Sequence, residues 1–307
     1  MIKKVYFLSI PLLVLLYINC NAQSMPMYSQ YMYNMTNINP AYAGSRGVPS
    51  LAFIWREQWA GLPGAPSTKS VTYDAPNDNK NIGFGIQLFD DRYVNILRRT
   101  GLNLYYNLKF PISKKGVISM GLKGGGYNDL KLLTGVNTGS FASYDVAYSS
   151  NFNKVIPLAG AGVYYNDDQF FLGFSAPDLI IFSKAHSYKS DSSLYQVNEI
   201  RYFFTAGYSV NINEEITLKP SILIKAISGA PLGIDFNTNI WLRNIVGLGA
   251  SYRTTQSFLA MAEIQVSPQL RFGYSYDMPF KVPNSNEIFL RIELGKLFPN
   301  SNNYKIY

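Results

Sequence analysis

The sequence predicts an all-β chain, a transmembrane antiparallel β-barrel of about fourteen strands. Three observations carry this. Apolar and polar residues alternate with period two through almost everything after residue 50, and side chains two apart share one face of a strand. Charged residues make up only 15% of the 307, against 24 Tyr, 19 Phe and 24 Gly, where soluble domains carry about 25% charge. After residue 20 no uninterrupted apolar run reaches the ~18 residues that a membrane helix needs, so a membrane would be crossed by strands.

Taken in order, the chain begins with a targeting signal over 1–22. Met1-Ile2-Lys3-Lys4 is a short basic region, and Val5 to Ile18 is mostly apolar. Cys20-Asn21-Ala22 places small residues at −3 and −1, for cleavage that leaves Gln23 first. A membrane anchor fits less well because the apolar stretch is short. A lipoprotein signal fits less well because Tyr17-Ile18-Asn19 lacks the small residues expected before the cysteine. Residues 23–50 do not alternate and are expected to form a short periplasmic N-terminal segment. The barrel itself is expected over 51–298, followed by a polar tail at 299–307, in the outer membrane with both termini periplasmic.

The expected strands are 51–60, 67–75, 81–90, 96–111, 116–128, 156–166, 169–175, 202–212, 215–225, 231–242, 244–254, 257–267, 269–277 and 287–297. Within 96–111, Leu102, Leu104, Tyr106, Leu108 and Phe110 alternate with Asn103, Tyr105, Asn107 and Lys109. Within 215–225, Leu218, Pro220, Ile222 and Ile224 alternate with Lys219, Ser221, Leu223 and Lys225. A soluble sandwich alternates too. Strands of about ten residues, a second face of Gly, Ser, Asn, Lys and Glu, and Tyr and Phe near strand ends favour a barrel in lipid. Lipid leaves no water for unpaired backbone groups, so such a sheet must close. The connections after even-numbered strands are short, and the long ones, 130–155, 176–201 and 278–286, follow odd strands, as short periplasmic turns and longer external loops would give.

Several function classes fall away. The formal charge is +8 but scattered, whereas nucleic-acid binders gather charge on one face. One Cys and one His leave no disulfide framework and no Cys/His zinc site. His186 stands in a long connection with no serine motif around it, so the pairing of nucleophile and base that a barrel hydrolase requires is missing. Asp90-Asp91 and Asp167-Asp168 read as solvated acids of connections, without the spacing of a calcium loop. Gly124-Gly125-Gly126 lacks the Lys-Ser/Thr of a phosphate loop and lies in a strand pattern. No cofactor and no metal are expected.

The lead reads Tyr28-Ser29-Gln30-Tyr31-Met32-Tyr33-Asn34 and then Ile38-Asn39-Pro40-Ala41-Tyr42-Ala43-Gly44-Ser45. Arg56-Glu57-Gln58-Trp59-Ala60-Gly61 and Gly64-Ala65-Pro66-Ser67-Thr68 follow. Gly162-Val163-Tyr164-Tyr165, Phe171-Leu172-Gly173-Phe174-Ser175 and Gly273-Tyr274-Ser275-Tyr276-Asp277 come later. Together these resemble the PorP/SprF family of type IX secretion, gliding motility-associated, outer-membrane proteins of Bacteroidetes. Asn286-Glu287 stands where that family often shows His-Glu. The resemblance implies a fourteen-stranded barrel that works without chemistry, helping to secrete or anchor a surface adhesin through its C-terminal sorting domain. The implied partners are that adhesin, periplasmic type IX components and outer-membrane lipid.

The candidate partner-binding residues are Asn39, Pro40, Ala41, Tyr42, Gly44, Arg56, Gln58, Trp59 and Asp277. The Asn39–Ser45 box is read as a periplasmic docking element or a plug touching the lumen, and most of the nine also have a plainer structural reading. Asn39 to Ser45 forms a rigid turn, since Pro fixes φ, Gly permits positive φ and Asn bonds its own backbone. Arg56, Glu57 and Gln58 on the first strand suit an internal ion pair, and Trp55 and Trp59 suit core or girdle aromatics. The alternative function is a porin-like diffusion channel. Bulky residues on the inward face, Tyr105, Phe203, Leu223 and Phe289, argue against a wide water pore.

Overall fold

A computed structural model describes residues 28–134, 151–181, 183–184, 195–196, 200–227, 230–255 and 257–295. The expected signal over 1–22, His186 and the tail at 299–307 lie outside the described residues.

Fourteen strands close into one antiparallel barrel. They are β1 (Ser50–Glu57), β2 (Ser67–Pro76), β3 (Ile82–Tyr93), β4 (Leu97–Pro111), β5 (Val117–Lys131), β6 (Phe152–Asn166) and β7 (Phe170–Ile181). Then come β8 (Arg201–Tyr208, resumed at Val210–Asn211), β9 (Ile216–Ile227), β10 (Gly233–Leu242), β11 (Val246–Arg253), β12 (Ser257–Gln265), β13 (Leu270–Pro279) and β14 (Ser285–Glu293). Each strand pairs with its neighbours in sequence, and β1 pairs with β14 from Ser50↔Glu293 to Glu57↔Asn286. That last pairing removes both edges, so the ladder has none left to expose. Two further pieces, Ser183–Lys184 and Tyr195–Gln196, pair with each other.

The alternation read from the sequence becomes the two sides of the wall. Leu122 is 62% exposed while Lys123 beside it is 7% exposed, because the first faces outward and the second into the lumen. Leu104, Phe174, Phe236, Leu248 and Phe258 share the outer, lipid-facing side, and Asn103, Ser175, Asp235, Ser251 and Ser257 the inner one. β6 meets β7 with a shift in register between Ala159 and Ala161. A Cβ on Gly160 there would come within 2.2 Å of the Pro177 carbonyl oxygen, so this bulge needs a residue without one.

Two expectations need correction. Asp90 and Asp91 do not lie in a connection. The apolar alternation stops at Phe89, but the ladder of β3 continues to Tyr93 opposite Leu97. Asp91 is buried, accepting from Thr68 Oγ1 at 2.6 Å, and Asp90 accepts from Arg92 and Arg98 at 2.9 and 2.6 Å. β1 ends at Glu57 instead of 60, because Trp59 takes a left-handed φ of 52° that breaks the strand. Of the two readings of the lead, docking element or plug, the packing supports the second: residues 28–49 lie inside the barrel. Asp167 does sit in a turn, where it accepts from the amides of Gln169 and Phe170.

Candidate functional site

Residues 28–49 form a plug that fills the lumen. The segment holds three single turns of 3-10 helix, Tyr31–Tyr33, Met35–Asn37 and Pro40–Tyr42. Such short pieces form because this sequence offers neither period two nor a helical stripe. Tyr31, Met32, Tyr33, Met35, Ala41 and Ala43 are all buried, packing against inward side chains that include Ile54, Tyr164, Phe171, Leu223, Trp241 and Phe289. The plug begins beside the far end of β1, where Ser29 meets Arg56, and runs to Pro49 at the end where β1 starts. The short turns lie at that second end, termed here the turn end, and the long connections at the loop end.

Buried backbone groups must find partners, and two wall carboxylates take the plug's two ends. Glu287 accepts from the amides of Ser29 and Gln30 at 2.8 and 2.7 Å. Asp74 accepts from the Gly44 amide at 2.8 Å and from Ser50 Oγ at 2.7 Å. Between them, further wall side chains read the plug's backbone. Asn107 Nδ2 donates to the carbonyls of Ala41 and Ala43 at 2.7 and 2.9 Å. Ser175 Oγ donates to the Ile38 carbonyl at 2.8 Å, and Lys109 donates to that of Gly44. In return Asn39 Nδ2 donates to the Val163 carbonyl at 2.9 Å, while its Oδ1 caps the Ala41 amide.

The wall also makes room. A Cβ on Gly121 would stand 2.2 Å from the Ala41 nitrogen, and one on Gly83 2.0 Å from the Ala43 oxygen. Gly44 itself has φ +67° and lies so close to Ala75 and Pro76 that any side chain would meet their backbone.

The other side of the lumen is charged. Arg56 lies 3.1 Å from Asp277 and 3.5 Å from Glu287 and donates to Ser29 Oγ. Asp277 also takes Arg253 at 3.1 Å, and Arg253 and Lys225 converge on Asp235. Lower down, Arg291 Nη1 and Arg46 donate to the Tyr33 carbonyl, Arg291 lies 3.2 Å from Glu293, and Arg271 stacks over Trp241 with 4.4 Å to the ring centroid. Such buried charges persist only when paired. Among the described residues no three His, Cys, Asp or Glu side chains come together as metal ligands would.

The nine candidate residues therefore separate. Asn39, Pro40, Ala41, Tyr42 and Gly44 are plug residues against β2 to β7, and all are buried. Arg56 and Asp277 meet in the internal ion-pair cluster. Gln58 and Trp59 lie in the β1–β2 connection at the loop end, their amides donating to the Pro66 carbonyl and, at 3.3 Å, to Ser285 Oγ. Trp55 points outward, bonded to Glu57 and lying beneath Lys69, as a rim aromatic does. Asn286 also faces outward, against Tyr274. Sequence reading missed Asp74, Asn107 and the plug-holding role of Glu287. The available signal was glycine on inward positions of strands, at 83, 85, 121 and 162.

A family model described as "Type IX secretion system membrane protein PorP/SprF" matches residues 20–291. The sequence has no match among curated proteins. Similar solved structures include the CymD monoaromatic hydrocarbon channel, at 10% identity and a TM-score of 0.48, covering 89% of this chain and 94% of that one. The toluene transporter TbuX of Ralstonia pickettii is similar at 9% identity and 0.46, covering 90% and 96%. The outer membrane protein Omp33 of Acinetobacter baumannii is similar at 7% and 0.44, covering 80% and 98%.

Proposed function

The chain belongs to the PorP/SprF family of type IX secretion system membrane proteins and is an outer-membrane β-barrel, and from that membership we propose that it is a non-enzymatic partner-handling barrel. It helps to secrete or anchor a surface adhesin through that protein's C-terminal sorting domain, with its turn end and both termini facing the periplasm. The observation that supports this reading best is the filled lumen. A diffusion channel needs a continuous wet path, and here residues 28–49 occupy that path with buried side chains bonded to the wall on every side. A barrel closed in this way offers its two ends and its rim for work, and those are surfaces for recognition.

The test is an affinity pull-down of the full chain, tagged after Tyr307, from detergent-solubilised outer membrane, read by mass spectrometry and paired with planar-bilayer conductance. Recovery of a large surface protein or of type IX components, with no steady conductance, is the expected result. A steady ohmic conductance with no co-purifying protein would replace this reading by the diffusion channel.

A further inference from the structure

At the turn end the plug's exit forms the floor of a cavity of about 280 Å³. Lys80, Lys109, Lys114 and Lys115 line it, with Ser45 of the plug and Asn166 of β6. No carboxylate is among the lining residues. The acidic groups nearby are Asp74, Asp78, Asp167 and Asp168. Asp74 faces the lumen, already bonded by Gly44 and Ser50. Asp167 is taken by two turn amides. Asp168 lies outside the lining, 2.7 Å from the Lys115 ammonium, and Asp78 is in the exposed β2–β3 turn. The lining is therefore a concentration of positive charge that focuses field into a concave site.

We infer that this cavity binds a carboxylate-rich peptide segment of a protein on the turn side of the barrel. Three features select that class. Lysine ammoniums are compact point charges on flexible stems, suited to several separate carboxylates rather than to one planar group. The floor is the plug and the inward-facing Lys109, so the occupant approaches along the barrel axis and not from the surrounding lipid. Asn79, Asn81 and Asn166 also line the site, and Ser45 Oγ is buried there with no hydrogen-bond partner. Asparagine amides both donate and accept, which matches a polypeptide backbone, whereas the phosphodiester of a lipid headgroup brings acceptors alone. The inference rests on the partner-handling reading only for what the segment belongs to.

The test uses the full chain in uncharged detergent and fluorescein-labelled hexaglutamate, followed by fluorescence anisotropy. Hexaglutamate should bind saturably at low salt, weaken as salt rises, and resist displacement by inorganic phosphate, while labelled hexalysine should not bind. Lys80→Gln with Lys114→Gln touches no described plug contact. The pair should leave the circular dichroism unchanged and weaken binding about ten-fold. No saturable binding, equal affinity in the double variant, or displacement by phosphate or by nanodiscs of anionic phospholipid would each overturn the inference. Hexaglutamate binding that depends on these lysines, beside an empty pull-down, would keep the site and remove the secretion reading. Partners recovered alike by both proteins, with no hexaglutamate binding, would do the reverse.

Discussion

The two halves of the lumen hold the same plug by different means. The wall from β2 to β7 meets residues 34–44 mostly with amides, hydroxyls and glycines: Asn107 on two carbonyls, Ser175 on a third, Gln87 and Thr72 on Asn37, and Gly83 and Gly121 beneath the alanines, with Asp74 and Lys109 on Gly44 as its charged exceptions. The wall from β8 through β14 to β1 meets residues 29–33 and Arg46 with charge and bulk, through Glu287, Arg56, Arg291, Trp241 and Phe289. The first half recognises the course of a backbone, and its tolerance is steric. The second is a set of mutually neutralising charges, and its tolerance is electrostatic. A substitution that is harmless on one side should be damaging on the other.

Glu287→Ala attacks the electrostatic half where it is most committed. It strips two plug amides of their acceptor and leaves Arg56 buried with one carboxylate fewer. The expected loss is about 3–5 kcal/mol, read as the urea midpoint of the barrel refolded in lipid vesicles. A loss below ~1 kcal/mol would mean that charge is not what holds this side.

Gly121→Val attacks the steric half. No rotamer relieves a clash with the backbone nitrogen of Ala41, so the plug must move. The expected cost is about 1–3 kcal/mol, and steady ion conductance should appear in planar bilayers. Gly124→Val, at a strand position where a Cβ has nothing within 4 Å, is the matched control and should stay closed.

Asn107→Ala removes one side chain and orphans two buried carbonyls, at about 1–3 kcal/mol. Faster amide exchange confined to residues 39–45 would sharpen the contrast, and exchange spread over β8 to β14 would break it. The smallest effect belongs to Lys115→Gln. Its partner Asp168 is half-exposed in a turn, exposed pairs contribute little, and neither the unfolding midpoint nor the conductance should change.

All fourteen strands were legible in the sequence because a barrel wall repeats one simple instruction, apolar out and polar in. Where that instruction ends, so did the reading. β3 runs past Phe89 on the strength of its ladder with β4, and no pattern in Asp90-Asp91 announces this. The plug was legible as a stretch that is neither strand nor helix, with docking element and lumen plug left as open alternatives, since its position depends on residues far along the chain. Arg56 was read as half of an internal ion pair, and its partners proved to be Asp277 and Glu287. The identity of such partners is invisible to periodicity. Asn107 and Gly121 looked like ordinary inward residues of a polar lumen, and only the seated plug gives them a task.

The plug also constrains how the molecule can be made. Ser29 bonds a residue 258 positions later, and β1 completes the ring by pairing with β14. Contacts so distant in sequence form late, and a segment bonded all round the cylinder gains its full set of partners only when the seam is shut. The wall and its plug complete one another, with the first residues of the barrel waiting on the last. A nascent chain halted before β14 holds a core without its final clamp and a rim of bare backbone. Completion of the cylinder and the final clamping of its filling thus meet at a single joint.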